Sequence, residues 1–386
     1  MWRRGLIVIA WGLAAALACA AGARGESPPA SRPGVTVDAG GRLVKDGRPL
    51  RAIGVNYFSA FLRTIKSADD RSYDAGFAAL AEHKIPFARF AATGFWPADM
   101  KLYREDKAAY FQRMDAVVKS AGQHGVGLLP SLFWQLAMVP DLVGEPCDQW
   151  GNPASKTCEF MRTYTREVVT RYKDSPAIWG WEFGNEYNLA ADLPNAALHR
   201  PQIVPRLGTP ETRSTRDEIT REVLRTALSE FAREVRRHDP YRFVTSGNSI
   251  PRDSAWHNWK ERSWKADTPE QFAEMLAVEN PDPINVISIH AYSEALEKIP
   301  AAAEAAERLK KPLLIGEFQV HDAASEAAEA AFRGVLERIE KSGAALAAVW
   351  VYDLAAQKKD FNVTATNARA WQLKAIAEAN RRLAGR

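Results

Sequence analysis

The chain has three cysteines in 386 residues, no apolar run of membrane-spanning length, and no excess of either charge. Three thiols, with no neighbouring His or Cys at zinc spacing, leave room for one disulfide and no zinc site. The leading apolar stretch, Gly5 to Ala20, is short for a bilayer, which needs about 20 residues of helix. The 51 basic and 47 acidic residues nearly cancel, leaving +4, a balance too even for a nucleic-acid binder. Internal repeats and low-complexity tracts are missing as well. With 46% hydrophobic residues, 24 Gly and 22 Pro, the composition excludes wholesale disorder, collagen and coiled coil. What the chain does have is length for one large α/β barrel or two average domains. It also has twelve tryptophans, which hint at stacking surfaces.

Arg3 and Arg4 precede the apolar stretch and Ala21-Gly-Ala23 follows it. A charged start, an apolar middle and a small-residue cut site make a secretory signal layout. Residues 1–23 therefore read as a signal peptide, 24–34 as a flexible linker and 35–386 as the folded domain, secreted or periplasmic. A retained anchor is the alternative. Cys19 follows Ala-Leu-Ala and is a candidate lipid anchor of the bacterial lipoprotein type. Cys147 and Cys158 bracket the polar, turn-rich stretch Asp148–Thr157. In an exported chain this suggests a disulfide, contributing about 3 kcal/mol in the chain-entropy model, against two free thiols.

Eight short apolar runs alternate with amphipathic segments. The runs are Arg51–Tyr57, Pro86–Ala91, Val126–Phe133, Ala177–Glu186, Arg242–Asn248, Ile284–His290, Pro312–Glu317 and Leu346–Tyr352. Among the helical faces, Ile219, Val223, Ala227, Leu228, Phe231 and Val235 form one, with Thr215-x-x-Glu218 as its expected capping box. Another helix is expected from Thr268-Pro269-Glu270. Eight strands alternating with helices predict a (β/α)8 TIM barrel in the α/β class. An open doubly wound sheet would show a Gly-rich phosphate turn after its first strand, and Gly54-Val-Asn-Tyr-Phe-Ser is not one. Val35–Val37 and Arg42–Pro49, with Asp46-Gly47 at the turn, predict an N-terminal β-hairpin that plugs the barrel's N-terminal end. The Pro-rich segment 188–214 reads as a long loop on the opposite face, where barrel chemistry sits.

Two predicted strands end in a carboxylate: Trp179-Gly-Trp-Glu-Phe-Gly-Asn185-Glu186 and Leu313-Leu-Ile-Gly-Glu317-Phe318. A charge completing a buried strand is costly unless paired or used. Two carboxylates facing each other across a barrel mouth are what glycoside hydrolysis needs, one protonated as acid and one ionised. Read singly, each is equally well a structural ion pair or a helix-initiating acid.

These residues also carry a resemblance. The stretch from Tyr172 through Lys-Asp-Ser-Pro-Ala-Ile-Trp-Gly-Trp-Glu-Phe-Gly-Asn to Glu186 resembles the fourth-strand signature of glycoside hydrolase family 5 in clan A of retaining barrels. Ile315-Gly-Glu-Phe318 resembles its nucleophile strand, 131 residues from the Asn-Glu pair, and the likeness runs in register over the mature chain. The resemblance implies Glu186 as acid/base and Glu317 as nucleophile. It further implies Arg89 beside the nucleophile, Asn185 on the sugar 2-hydroxyl and His290 near the acid/base. Tyr292 would hydrogen-bond the nucleophile, and Trp350 would be the stacking floor. A core ion pair between Arg89 and Glu182 or another buried acid is the alternative for that arginine. Ser131-Leu-Phe-Trp134-Gln replaces the family's usual histidine after strand three, so Trp134 is expected in an aromatic wall. Tyr187 stands where proline is common. Both departures bear on the substrate. The Lys-Asp-Ser-Pro lead-in and the Trp-Glu before Asn-Glu lean towards β-mannanase-like members. Trp96, Trp256, Trp259 and Trp264 are further candidate subsite walls.

The resulting expectation is a retaining endo-β-glycosidase that cleaves a β-1,4-mannan or β-glucan type polymer or oligosaccharide. No metal, organic cofactor or obligate protein partner is implied. A non-catalytic carbohydrate-binding envelope protein on the same barrel and an exo-acting clan A glycosidase are the rivals.

Overall fold

The computed structural model describes residues 34–320 and 325–385, so the expected signal peptide, Cys19 and nearly all of the linker lie outside the described residues. Three short strands open the fold: β1 (Val35–Val37), β2 (Leu43–Lys45) and β3 (Arg48–Pro49), each antiparallel to the next. Asp46 and Gly47 both have positive φ and turn the chain between β2 and β3, which suits an Asp-Gly pair.

The eight apolar runs then become eight parallel strands. They are β4 (Ala52–Asn56), β5 (Phe87–Ala91), β6 (Gly127–Phe133), β7 (Gly180–Gly184), β8 (Phe243–Thr245), β9 (Ile287–Tyr292), β10 (Leu313–Gln319) and β11 (Leu346–Val349). Spatial order runs β8-β7-β6-β5-β4-β11-β10-β9, and a parallel bridge from Thr245 to Val286 joins the two ends into a ring. Helices lie between the strands, as in a TIM barrel. Every residue of β4 to β8, β10 and β11 is buried. A sheet covered on both faces needs apolar runs rather than alternation, which is why these strands show as runs in the sequence.

A cluster containing Val35, Leu43, Phe87, Leu129, Trp179, Phe243, Leu314 and Leu346 fills one end of the barrel. The Val35 N–H donates to the Trp179 carbonyl at 2.9 Å, so the N-terminal strands close that end. At the other end β10 carries an irregularity. Ile315 pairs with Ile289 and Glu317 with His290, so Gly316 is an extra residue. Such a bulge re-aims the next side chain. Ile315 packs in the large core cluster, whereas Glu317 two residues on meets Arg89 and Tyr292.

Two expectations need correction. The helix Arg221–His238 is capped by Thr220, whose hydroxyl accepts from the Val223 N–H at 3.3 Å. Ser214 and Asp217 instead form a box around the separate 3-10 turn Thr215–Asp217, so the pattern at Thr215 and Glu218 starts no α-helix. Cys147 and Cys158 are buried free thiols and form no disulfide. Cys158 Sγ points at the carbonyl oxygens of Gln149 and Trp150. The loop is closed without a covalent link: Glu145 accepts both N–H groups and the hydroxyl at Lys156–Thr157, and Ser155 caps the following helix. The helix Pro269–Val278 does begin at the Thr268 cap. Among the described residues no helix is long and apolar enough to cross a membrane.

Candidate active site

Glu317, near the end of β10, is 5% exposed. Its Oε1 accepts from Arg89 Nη1 at 2.9 Å and its Oε2 from the Tyr292 hydroxyl at 2.6 Å. Glu186 follows β7 in the left-handed conformation (φ 58°, ψ 26°), a position that costs a non-glycine residue about 1–3 kcal/mol. Its N–H donates to the Gly247 carbonyl at 2.9 Å, which fixes the turn. The side chain is 31% exposed, and its Oε1 lies 3.0 Å from His290 Nδ1. The same nitrogen is 3.7 Å from Glu317 Oε1. One donor atom from each of Glu186, His290 and Glu317 lies within 4.8 Å of the others. That spacing would also suit a metal ion, but the Arg89 guanidinium on Glu317 is a resident cation that competes with one.

The electrostatics follow from these contacts. Burial pushes the Glu317 carboxyl up, and the neighbouring Glu186 charge adds to that push. His290, Arg89 and the Tyr292 hydroxyl oppose it, and the net direction is upward. Burial also pushes Glu186 up, but the hydrogen bond and charge of His290, with help from Ser249 and Arg89, outweigh it and carry the group down. Burial, then the Glu317 charge, holds the Tyr292 hydroxyl protonated.

Arg89 on β5 is fully buried and organises the centre. It donates to Glu182 Oε1 (2.7 Å), Asn56 Oδ1 (2.9 Å), Glu317 Oε1 (2.9 Å) and Asn185 Oδ1 (2.8 Å). The nucleophile contact and the core ion pair weighed from sequence therefore coexist on one guanidinium. Its Cζ lies over the Trp134 ring, 4.2 Å from the centroid. Trp134 is 5% exposed, so it acts as Arg89's platform as well as a wall beside Trp350, 5.9 Å away. Trp350, just beyond β11, is half-buried. Its indole N–H donates to Gln357 and its carbonyl accepts from Gln319.

Among the described residues, only Trp96 of the other candidate tryptophans connects to this wall, through Phe95 and Phe58. Trp256 and Trp259 tie their indole nitrogens to Glu274 and Glu222, and Trp264 stands 50% exposed. Trp96 packs on Phe95. Two site residues escaped the sequence reading, Asn56 and Gln357, while Glu182 was weighed there as a core ion-pair partner of Arg89. Asn56 had a usable signal as a polar residue within a buried strand. Gln357 sits on a loop that sequence does not place.

Comparison with known proteins adds to this geometry. Over 82 residues the chain is 38% identical to a protein named probable mannan endo-1,4-β-mannosidase A from Aspergillus flavus, covering 19% of this chain and 21% of that one. It is 33% identical over 82 residues to mannan endo-1,4-β-mannosidase F of Aspergillus clavatus, covering 19% and 18%. The chain thus spans about a fifth of the length of these curated relatives. The endo-1,4-β-mannanase structure of Rhizomucor miehei superposes with a TM-score of 0.66 at 17% identity, over 92% of this chain and all of that one. A glycoside hydrolase family 5 mannosidase of the same organism gives 0.67 at 13% identity, over 91% and 98%. These likenesses show a shared barrel, in line with the family 5 resemblance of the two glutamate-bearing strands. Residues 80–317, more than half of the chain and ending on Glu317, match the family model described as apiosidase-like, catalytic domain. The chain belongs to that apiosidase-like catalytic-domain family, on a (β/α)8 barrel.

Proposed function

We propose that the protein is a retaining β-glycosidase acting on a β-linked polysaccharide, with endo cleavage of β-1,4-mannan as its leading activity. The separation of the two carboxylates carries the reading. Their oxygens come within 4.8 Å, near the roughly 5–5.5 Å of double displacement and short of the roughly 6.5–9.5 Å that inversion needs for an intervening water.

In the first step Glu317 attacks the anomeric carbon and Glu186 protonates the departing oxygen, giving a covalent glycosyl-enzyme. In the second, Glu186 takes a proton from water, which displaces Glu317. Carboxylates this close titrate as a pair, so ionising one raises the other. Glu317 keeps a permanent cation in Arg89, whereas the downward pull on Glu186 depends on His290. The first step requires the shared proton on Glu186, and burial is the influence that works in that direction. Asn185, held by Arg89, would meet the sugar 2-hydroxyl, and Trp350 would stack under the ring.

The names of the curated relatives support mannan, and the family description adds β-apiosides as a second substrate class to test. The leader layout supports export, with Cys19 as the lipidation site to probe by cell fractionation. The deciding experiment is a panel of mannan, cellulose derivative, xyloglucan, mixed-linkage glucan and a β-apioside. Proton NMR would follow the first-formed anomer. Retention in the wild type and loss of turnover in Glu317→Ala are expected. An inverted product, or full activity in that variant, refutes the assignment.

A further inference from the structure

The proposed chemistry uses two carboxylates, yet a third lies in the same network. Glu182 on β7 is 0% exposed, and its Oε1 is 2.7 Å from Arg89 Nε, closer than the 2.9 Å between Arg89 and Glu317. Two carboxylates thus share one guanidinium, and the trio cannot be neutral while both are ionised. Burial works against the Arg89 charge, and Glu182 offsets that more than Glu317 does.

We propose that Glu182 is a positioning residue for the nucleophile: by sharing Arg89 it fixes that cation and withholds part of its charge from Glu317. This rests on the reading of Glu317 as nucleophile. Glu182 has little freedom to turn away. Its carboxyl carbon is packed under Gly247, where an added Cβ would come within 2.9 Å of it. Its register neighbours are uncharged, Ser131 on β6 and Thr245 on β8. Among the described residues, Glu182 Oε2 and Thr245 Oγ1 are both buried without a hydrogen-bond partner.

The chemistry explains the sharing. A carboxylate that owned the whole guanidinium would be drawn well down, by about 1–3 pH units, and would attack a sugar weakly. Glu317 must both attack and leave, so partial neutralisation suits it. The charged or titratable groups facing Glu317 are Arg89 from β5, His290 and Tyr292 from β9, and Glu186 beyond β7. Among the described residues, the ion pair that Glu182 makes is with Arg89.

The test is the pH profile of kcat/KM for Glu182→Gln. The amide keeps an acceptor for Arg89 and removes the negative charge. Ionised Glu317 is then favoured, so the acid limb should move down by about one pH unit with a lower plateau. Glu182→Asp retains a retracted charge and should shift the limb the same way by less, which also serves if the amide variant does not fold. Thr245→Val should leave the limb in place. A folded Glu182→Gln or Glu182→Asp with an unmoved acid limb overturns the proposal. A wild type without glycosidase activity, or an active Glu317→Ala, instead overturns the functional reading beneath it.

Discussion

Replacing Gly316 with alanine should uncouple the catalytic pair without touching either carboxylate. A Cβ built on Gly316 falls 2.6 Å from His290 Nε2 and 2.9 Å from its Cδ2. Ordinary contact begins near 3.4 Å, so the ring must yield by about 0.8 Å. It has nowhere easy to go, because His290 is 1% exposed and Ser288 Oγ lies 3.5 Å from the same Cβ. Over-packing of this kind costs about 1–3 kcal/mol of stability. The catalytic cost should be larger. His290 Nδ1 holds Glu186 at 3.0 Å, and misplacing a catalytic group by about 1 Å costs about a hundredfold. The pH signature has a definite sign. His290 carries Glu186 down, so its displacement lets burial raise Glu186, and the basic limb of the rate profile should move to higher pH. Gly334→Ala is the control, since its Cβ meets nothing within 4 Å inside the helix Glu326–Ser342. Steady-state kinetics on a chromogenic substrate, with the melting temperature of each variant, read both effects. A Gly316→Ala enzyme within twofold of wild-type kcat, with an unmoved basic limb, refutes the reasoning.

Tyr292→Phe removes the 2.6 Å bond to Glu317. A hydrogen bond to a charged group contributes about 2 kcal/mol, so kcat/KM should fall about thirtyfold. Glu317 loses a group that lowers it, so the acid limb should rise, and an unshifted limb counts against the bond. Asp239→Ala strands the buried Arg242 and should cost about 3–5 kcal/mol in urea unfolding. Burial pushes Asp239 up, but Trp181 and Arg242 carry it below its ordinary value. Its contribution is therefore full above about pH 4 and lost as pH falls through the folded-state value, so the gap to wild type should narrow in acid. Dithiothreitol should leave the melting temperature unchanged, because Cys147 and Cys158 are free; a drop on reduction would reveal a disulfide after all.

How much of this was readable beforehand depends on range. The eight strands were legible because burial on both faces writes them as apolar runs, and the glutamates because a charge ending such a run is conspicuous. The start of the helix at Arg221 was missed because Thr215 and Thr220 compete as caps, and the choice between them is made by contacts such as Asp217 with Arg213, which couple the turn to Asp141. The cysteine pair misled for a related reason: spacing along the chain says nothing about where a thiol points. Glu182 was visible as a polar residue in a buried strand, but its shared use of Arg89 is a contact across the barrel. Gly316 shows the limit most plainly. The letter was there between Ile315 and Glu317, but the bulge exists only against β9.

The reach of Arg89 has one more consequence. Its partners come from β4, β7 and β10, with Asn185 beyond β7, so they lie on both sides of β5 around the ring. No contiguous half of the polypeptide contains them all. Turnover would therefore emerge late, only when the first and last portions of the chain have met, and recovery of activity after dilution from urea would time that meeting more sharply than the return of helical signal.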